Sequence, residues 1–293
     1  MFGAIPSPAD NRDYNISMLT SVPTEFPEGF RIEYKGKKKN QKVSSCVPNS
    51  LSYVKEQKEE KEFSVGYIYT NRKDTDYQGE GMIPREALSN LLTDGDVEFD
   101  DYPYDEDYSV LKPTFPEYKV KLINKSKMHA ITAYARLNTI NDVKTALMKI
   151  GPVTVCYNIF DSFYNVGSDG MVSVPASTES KQGMHEMTIF GWENGRWIVL
   201  NSWGEDWGDK GYCYIPFEYE FVEAWSITDK EREGTSMYKD FDKVANWAKP
   251  YVEEANKLGI MNGDNEGNFN PKDEVTREQL AVALVNLYHA IKG

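Results

Sequence analysis

Three side chains that together could perform nucleophilic catalysis lie far apart in the chain. Cys46 comes first, His185 follows in the second half, and Asn201 lies sixteen residues further on. A cysteine is a strong nucleophile as its thiolate, and an imidazole is a common acceptor for the thiol proton. A third polar side chain can hold the imidazole in one orientation. If the fold brings them together, these residues predict a hydrolase that forms a covalent acyl-enzyme.

Cys46 is predicted to begin a helix. The sequence that starts there, CVPNSLSYVKEQKEEKE, carries Val47, Leu51 and Val54 on one face and lysines and glutamates on the other. Pro48 falls in the first turn, where its missing N–H costs nothing. The positive end of a helix dipole favours an anion, so this position favours a thiolate. The alternative interpretation of Cys46 is a buried structural thiol.

Composition excludes several classes of function. The chain has 293 residues and a net charge of −13, which argues against nucleic-acid partners and against anionic membranes. No apolar run reaches about 18 residues, so no membrane span is predicted. Residues 1–15 lack the pattern of a standard secretion signal. The three histidines and three cysteines show no paired spacing, so we predict neither a metal site nor a cofactor.

The secondary structure that must position these residues is predicted to change along the chain from mostly helices to mostly strands. The first 40 residues are proline-rich and predicted irregular, and they are too few for a helical inhibitory propeptide. Helices are predicted at residues 46–62, 84–94 and 141–150, the last with Asn141 as its N-cap. Strands are predicted at 118–124, 130–137, 153–158, 185–192, 196–201 and 212–216. A crevice between a helical half and a sheet half is a natural place for a site.

The carboxy-terminal part is predicted to be a separate unit. A polar linker at residues 229–236 precedes it, and residues 237–293 then carry two predicted helices, at 243–258 and 276–291. Thr276 and Gln279 have the spacing of a capping box at the start of the second helix. Two helices and a glycine-rich turn make only a small core.

Residues 1–228 resemble the papain-like cysteine peptidases. The most specific segment is NSWGEDWGDKGY at residues 201–212, with the residues around His185, and Gly151-Pro152-Val153 and Tyr102-Pro103-Tyr104 add to it. The resemblance implies an α+β, two-lobed fold with a helical left lobe, a β right lobe and the catalytic cleft between them. The default prediction for Cys156 and Cys213 is that both are buried free thiols.

The resemblance implies a role for each catalytic position. Cys46 is the nucleophile, His185 is its base and acid, and Asn201 orients the imidazole. Trp203 shields the hydrogen bond between these last two residues from water. The oxyanion of the tetrahedral intermediate takes the Cys46 backbone N–H and an upstream side-chain amide. The same resemblance assigns substrate contacts to Gly81, Met184 and Trp203.

The sequence departs from the family pattern at several positions. The amide that completes the oxyanion hole stands six residues before the nucleophile in the family, and that position is Asn40 here. Gln41 lies one residue closer, and we favour it because its amide reaches further. Val47 stands where the family has a bulky aromatic residue. Glu186 replaces a small residue after the histidine, and its carboxylate lies either near the site or out in solvent.

Residues 237–293 resemble a single S-layer homology (SLH) module. The resemblance rests on GIMNG at 259–263, GNFNP at 267–271 and VTREQ at 275–279, with the pairs FD at 241–242 and WA at 247–248. It implies binding to secondary cell-wall polysaccharides of Gram-positive bacteria, with Arg277 on an anionic sugar group. Trp247 is predicted to be core. An EF-hand is excluded because Phe269 stands where its calcium loop needs glycine.

These observations predict a thiol endopeptidase that an SLH module attaches to a Gram-positive cell wall, at the cell surface or outside the cell. The absence of a visible secretion signal also suits a phage-encoded, virion-associated protein. SLH modules usually occur in threes, so one copy implies either a homotrimer or a solitary module. Two alternatives are a catalytically degenerate binding protein on the same scaffold and a hydrolase of cell-wall peptide cross-links. The expected partner of the site is a peptide or protein substrate.

Overall fold

The computed structural model describes residues 2–10, 13–72, 81–103, 108–229, 238–245, 248–257, 260–264 and 266–292. The chain divides into two compact units, Met1–Lys230 and Glu231–Gly293. Of the predicted linker at 229–236, all but the first residue lies outside the described residues. No described helix is both long enough and apolar enough to cross a bilayer.

A seven-stranded antiparallel sheet forms the right side of the first unit. The strand order is β2-β7-β3-β4-β5-β6, and the short β1 pairs with β4. The strands are β1 (Phe30–Arg31), β2 (Ala133–Leu137), β3 (Val153–Phe160), β4 (Lys181–Glu193), β5 (Arg196–Leu200), β6 (Tyr212–Pro216) and β7 (Phe221–Thr228). The turn between β4 and β5 has Asn194 at φ 49° and Gly195 at φ 75°, the positive values that a two-residue hairpin requires.

The described part of the first unit also contains five α-helices. They are α1 (Cys46–Glu59), α2 (Val65–Thr70), α3 (Pro84–Thr93), α4 (Tyr108–Met128) and α5 (Ile140–Lys149). The buried residues of α1 and α3 form one apolar cluster with Trp225 and Ile227 of β7. Helix α5 packs with alternate residues of β3, such as Val153 and Val155, in a second cluster. The two-lobed α+β fold that the sequence predicted is therefore confirmed.

The predicted strand at residues 118–124 is wrong, because this segment belongs to helix α4. The apolar residues there are compatible with a strand. The side chains that pack against the protein are, however, three and four residues apart, which is the spacing of a helix. Lys119 Nζ donates to Asp94 Oδ2 at 2.6 Å, Leu122 packs on a cluster that contains Val97, and Ser126 is fully buried. Val120 is 76% exposed, as a helical residue on the opposite face would be.

Two further differences concern the ends of elements. Thr139, not Asn141, caps helix α5, because its hydroxyl accepts from the Asp142 N–H and the Asp142 carboxylate accepts from the Thr139 N–H. This reciprocal capping box satisfies two backbone donors, which a cap at residue 141 would leave unpaired. Strand β7 was absent from the prediction, although it pairs with both β2 and β3.

The second unit is small and helical. It contains α6 (Lys249–Lys257) and α7 (Arg277–Lys292), so the first helix begins six residues later than predicted. The capping box of α7 is confirmed, since Gln279 N donates to Thr276 Oγ1 at 3.1 Å and Thr276 N donates to Gln279 Oε1 at 2.9 Å. Four buried residues form the described core of this unit: Tyr238, Phe241, Val244 and Val252. The predicted core residue Trp247 lies outside the described residues.

Candidate active site

Helix α1 presents Cys46 at its first position. The helix is held against strand β4 by Ser50, whose hydroxyl donates to Met187 O at 2.8 Å and lies 2.9 Å from Thr188 Oγ1. The next apolar positions of the helix are buried, and Cys46 itself has no exposed surface. The helix therefore fixes the thiol at a helix N-terminus beside the strand that carries the histidine.

Strands β4 and β5 bring His185 and Asn201 together. Their register pairs Thr188 with Leu200, so the residues that follow β5 run back along β4 toward His185. His185 Nε2 lies 2.7 Å from Asn201 Oδ1, and both side chains are fully buried. The same oxygen accepts from Ser202 N at 2.8 Å. These contacts fix the imidazole plane and leave Nδ1 as the ring nitrogen available to a thiol.

Aromatic rings enclose this pair. The ring of Trp203 lies 4.9 Å from the His185 ring and also contacts Trp207 and Phe163, at 5.2 Å and 5.7 Å. Trp203 is half-buried. The Trp203 ring lies over the imidazole, the position from which it would shield the hydrogen bond between His185 and Asn201 from water.

Burial shifts the pKa values of both reacting groups in the direction of their neutral forms. It raises the pKa of the Cys46 thiol to about 12, although the backbone N–H of Glu186 acts in the opposite direction. Burial also lowers the pKa of His185 to about 4, and its hydrogen bond with Asn201 offsets only part of this shift. Among the described residues, His185 Nδ1 has no hydrogen-bond partner. Burial at this site therefore disfavours the charged forms of the pair, a thiolate and an imidazolium.

The two candidates for the oxyanion-hole amide differ in burial. Asn40 is exposed, whereas Gln41 is buried. The Gln41 amide group donates to Val43 O at 2.9 Å, and its carbonyl oxygen accepts from the Ser202 hydroxyl. Gln41 is thus tied to the segment that carries Asn201.

The extended residues beside Gly81 form the wall of the cleft on the side of the helices. Gly81 itself has φ 117°, its N–H donates to the Tyr69 hydroxyl at 2.9 Å, and its carbonyl accepts from Arg72. The backbone groups that face along the cleft belong to the next residue, Met82. Met184 lies on the opposite wall and is 8% exposed. Sequence reasoning missed Met82, whose only signal was its place beside the glycine.

Glu186 is buried and does not point into solvent. Burial raises its pKa well above the usual range, and its carboxyl group is hydrogen-bonded to the Thr154 hydroxyl. Strand β3 places Cys156 between Glu186 and Glu223, one on each neighbouring strand. Cys156 is a buried free thiol, as predicted, and so is Cys213.

An open depression of about 300 Å³ adjoins the site, lined by Asn40, Gln41, Tyr164, Trp203 and Trp207. Tyr164 is 52% exposed and stacks on Trp203 with an interplanar angle of 11°. It follows strand β3 in a short 3₁₀ turn, Asp161–Asn165. Nothing in the sequence pattern marked Tyr164 as a site residue, because only the tertiary fold brings it beside residue 203.

Two family matches fit this architecture. Residues 43–229 match the papain family cysteine protease domain, and residues 238–281 match the S-layer homology domain. The first match covers more than half of the chain, which therefore belongs to the papain family of cysteine proteases. An S-layer homology domain follows at its carboxy-terminal side.

Individual relatives are distant. An uncharacterized peptidase C1-like protein of Acanthamoeba polyphaga mimivirus is 27% identical over 195 residues, which are 60% of this chain and 63% of the viral protein. Cathepsin B-like cysteine proteinase 1 of Ostertagia ostertagi is 36% identical over 84 residues, 27% of this chain and 24% of that protein. The chain thus spans less than two thirds of the length of either relative.

Solved structures share the fold. Xylellain, a cysteine protease from Xylella fastidiosa, superposes with a TM-score of 0.67 at 20% identity, over 78% of this chain and 96% of the other. The cysteine protease and lectin-like domains of Cwp84, a surface layer associated protein of Clostridium difficile, give a TM-score of 0.58 at 18% identity, over 78% and 56%. Identities this low show likeness of fold alone.

Proposed function

We propose that this chain is a thiol endopeptidase that cleaves peptide bonds through an acyl-enzyme. The His185 imidazole takes the proton of Cys46, and the thiolate attacks the substrate carbonyl carbon. The oxyanion is held by the Cys46 backbone N–H and the Gln41 amide. The imidazolium then gives its proton to the leaving amine, the C–N bond breaks, and a water activated by His185 releases the acid.

The observation that carries this proposal is the hydrogen bond of 2.7 Å between His185 Nε2 and Asn201 Oδ1. It directs Nδ1 away from Asn201, as proton transfer with a thiol requires. An amide orients the ring without adding negative charge, so the imidazolium remains a strong acid toward the leaving amine.

Covalent labelling tests the proposal. An epoxide inhibitor of thiol proteases is expected to label the native chain at Cys46 and to leave Cys46→Ala unlabelled. Casein cleavage should be lost in the same variant. Cys213→Ala is the matched control, because that thiol is also fully buried but lies outside the site. If the native chain is not labelled at Cys46, the proposed activity is wrong.

The alternative of a degenerate scaffold is favoured by one observation. The Gln41 amide donates to Val43 O, so the N–H used in this bond is not available to an oxyanion. A chain that binds substrate peptides without cleaving them would match this arrangement. The labelling experiment separates the two functions. Digestion of purified peptidoglycan beside casein separates the third candidate, a hydrolase of cell-wall peptide cross-links.

The S-layer homology domain supports a place at the cell surface, and we propose that it binds secondary polysaccharide of a Gram-positive wall. Arg277 is exposed at the first position of α7, a place that combines a guanidinium with the backbone N–H groups of a helix start. Arg277→Ala should be retained on purified cell walls less than the native chain. Lys272→Ala, which removes another exposed cation of this unit, should be retained as well as the native chain. Equal retention of both variants would argue against this role.

Self-association through the second unit is also proposed. Helix α7 exposes a set of apolar side chains: Leu280, Val282, Leu284, Val285, Leu287 and Tyr288. A homotrimer would cover this surface, as the resemblance to SLH modules implies. Sedimentation velocity of the full chain should show a trimer that Leu284→Glu dissociates. A monomer at every concentration would exclude the trimer.

A further inference from the structure

The open depression of about 300 Å³ beside the catalytic pair has a neutral lining. Three of its five lining residues are aromatic, Tyr164, Trp203 and Trp207, and the other two are amides, Asn40 and Gln41. None of the five carries a charge, although the chain as a whole has a net charge of −13. The depression therefore selects a ligand by shape, apolar surface and hydrogen bonds rather than by charge.

The aromatic rings are held in place by packing on one another. The Trp203 ring lies 5.2 Å from the Trp207 ring, at an angle of 81°, and 6.3 Å from the Tyr164 ring, at an angle of 11°. The buried Phe163 stacks on Trp207 at 5.5 Å and contacts Trp203 at 5.7 Å. Tyr164 nevertheless remains 52% exposed. A rigid aromatic surface loses little conformational entropy when a ligand binds.

Backbone pairing holds the two amide residues beside these rings. Asn40 forms an antiparallel bridge with Trp203, and Gln41 N donates to Ser202 O at 2.7 Å. The Asn40 side chain is exposed, and among the described residues its amide has no hydrogen-bond partner. A side-chain amide offers a ligand both a donor and an acceptor. The depression thus combines a fixed aromatic surface with an amide that can bind a ligand.

This combination is the chemistry that recognises a neutral sugar. A pyranose ring has a face of C–H groups, which packs on an aromatic ring, and an edge of hydroxyl groups, which hydrogen-bond to an amide. A purely apolar side chain would cover the Asn40 amide without replacing its hydrogen bonds to water, which costs free energy. A charged ligand finds no opposite charge in the lining. A neutral sugar satisfies both the rings and the amide.

The depression lies on the side of the leaving group. In the proposed mechanism His185 gives its proton to the leaving amine, so the part of the substrate after the cleaved bond lies beside the imidazole. The Trp203 ring is 4.9 Å from that imidazole and lines the depression. A sugar bound there therefore belongs to the part of the substrate after the cleaved bond. Peptidoglycan has the opposite arrangement, because its glycan is joined to the amino end of each stem peptide.

We propose that the depression is a saccharide subsite, and that the preferred substrate is a glycoprotein with a neutral sugar on a residue just after the cleaved bond. The sugar packs on the rings of Tyr164 and Trp207 and hydrogen-bonds to the Asn40 amide. No bond to the sugar forms or breaks. The inference deepens the proposed peptidase function and rests on it for cleavage, whereas the binding of sugar is independent of catalysis.

Binding of N-acetylglucosamine to the full chain with Cys46→Ala tests the subsite without turnover. Arg277→Ala is added throughout, because the second unit is a separate candidate for sugar binding. Saturation-transfer NMR should give a Kd of about 1 mM, as expected for one small ligand ring. Tyr164→Ala should weaken binding about 2- to 10-fold. Tyr14→Ala is the matched control, since that ring is 61% exposed and does not line the depression.

Equal affinity of the Tyr164→Ala and Tyr14→Ala proteins for N-acetylglucosamine would overturn the saccharide subsite. The same result would follow if neither protein nor their parent bound the sugar. Circular dichroism of each variant is the check on folding, and both substitutions remove a largely exposed ring.

A pair of peptides measures the effect on specificity. Both have the sequence of a site that the enzyme cleaves in casein, and one carries N-acetylglucosamine on a threonine at the first or second position after the cleaved bond. We expect kcat/KM about 10-fold higher for the glycosylated peptide, through a lower KM with unchanged kcat. The gain should disappear in Tyr164→Ala and persist in Tyr14→Ala. It should also disappear when the sugar is moved to a residue before the bond.

The outcomes separate the inference from the function on which it rests. Cleavage of both peptides with equal kcat/KM would overturn the inference and leave the peptidase function intact. Sugar binding that Tyr164→Ala weakens, without cleavage of either peptide or of casein, would leave the subsite intact and reject the peptidase function. Faster cleavage of a peptide with phenylalanine in place of the glycosylated threonine would assign the depression to an aromatic side chain and overturn the inference.

Discussion

Asn201 Oδ1 accepts hydrogen bonds from two sides, from the His185 imidazole at 2.7 Å and from Ser202 N at 2.8 Å. The second bond fixes the amide, and the fixed amide then determines the plane of the imidazole. The Trp203 ring covers the pair from one side, 4.9 Å from the His185 ring. Because both residues are fully buried, water does not compete for this hydrogen bond.

Asn201→Ala should therefore damage catalysis more than folding. The imidazole loses its orienting partner, and we expect kcat/KM for a peptide substrate to fall roughly 10²-fold, within the range of general acid–base catalysis. The measurement is steady-state cleavage of the peptide by the variant and by the native chain. A variant that retains full kcat/KM would show that Trp203 alone positions the ring.

The two oxyanion candidates can be distinguished by a pair of substitutions. Gln41→Ala removes the buried amide, and we expect a loss of roughly 10²- to 10³-fold in kcat. Asn40→Ala removes an exposed side chain and should leave kcat within about twofold of the native value. A large loss in the Asn40 variant with none in the Gln41 variant would reverse the assignment.

The pH dependence of Cys46 alkylation should differ from that of a free thiol. Burial raises the pKa of this thiol to about 12, so its thiolate fraction at pH 8 is about 10⁻⁴ in this structure. A raised thiol pKa means that reactivity keeps increasing as pH rises, with no plateau below pH 10. An unfolded sample of the chain should instead reach a plateau near the usual thiol pKa of about 8.5. Identical profiles would contradict the role of burial.

A buried lysine on the nucleophile helix is expected to matter for stability. Lys55 is fully buried and pairs with Glu59 at 2.6 Å and with Asp229 at 3.2 Å. Lys55→Met leaves the carboxylates of the partly buried Glu59 and Asp229 without this partner. We therefore expect the free energy of unfolding in urea to be about 3–5 kcal/mol lower. Lys61→Met, which breaks the exposed pair with Glu98, should cost less than about 1 kcal/mol. Similar midpoints for both variants would contradict this prediction.

Local sequence patterns predicted much of the fold because the interactions that determine them are local. The N-terminal proline of α3, the Asn194-Gly195 turn and the capping box at Thr276 all depend on neighbours within four residues. The strand prediction at 118–124 was wrong because its burial depends on distant partners. Leu122 packs against a cluster of residues that lie 20 to 55 positions earlier in the chain.

The sequence by itself determined the family and the types of residue at the catalytic positions. Cys46, His185 and Asn201 are recognisable because the motif after residue 200 is specific. Only the tertiary structure decided whether the cleft is open. The approach of Gly3 to Ser44, across about 40 residues of chain, depends on the meeting of two backbones that no local pattern encodes. The environment of Gln41 was also decided by the tertiary structure, because its side-chain amide is hydrogen-bonded to both Val43 and Ser202.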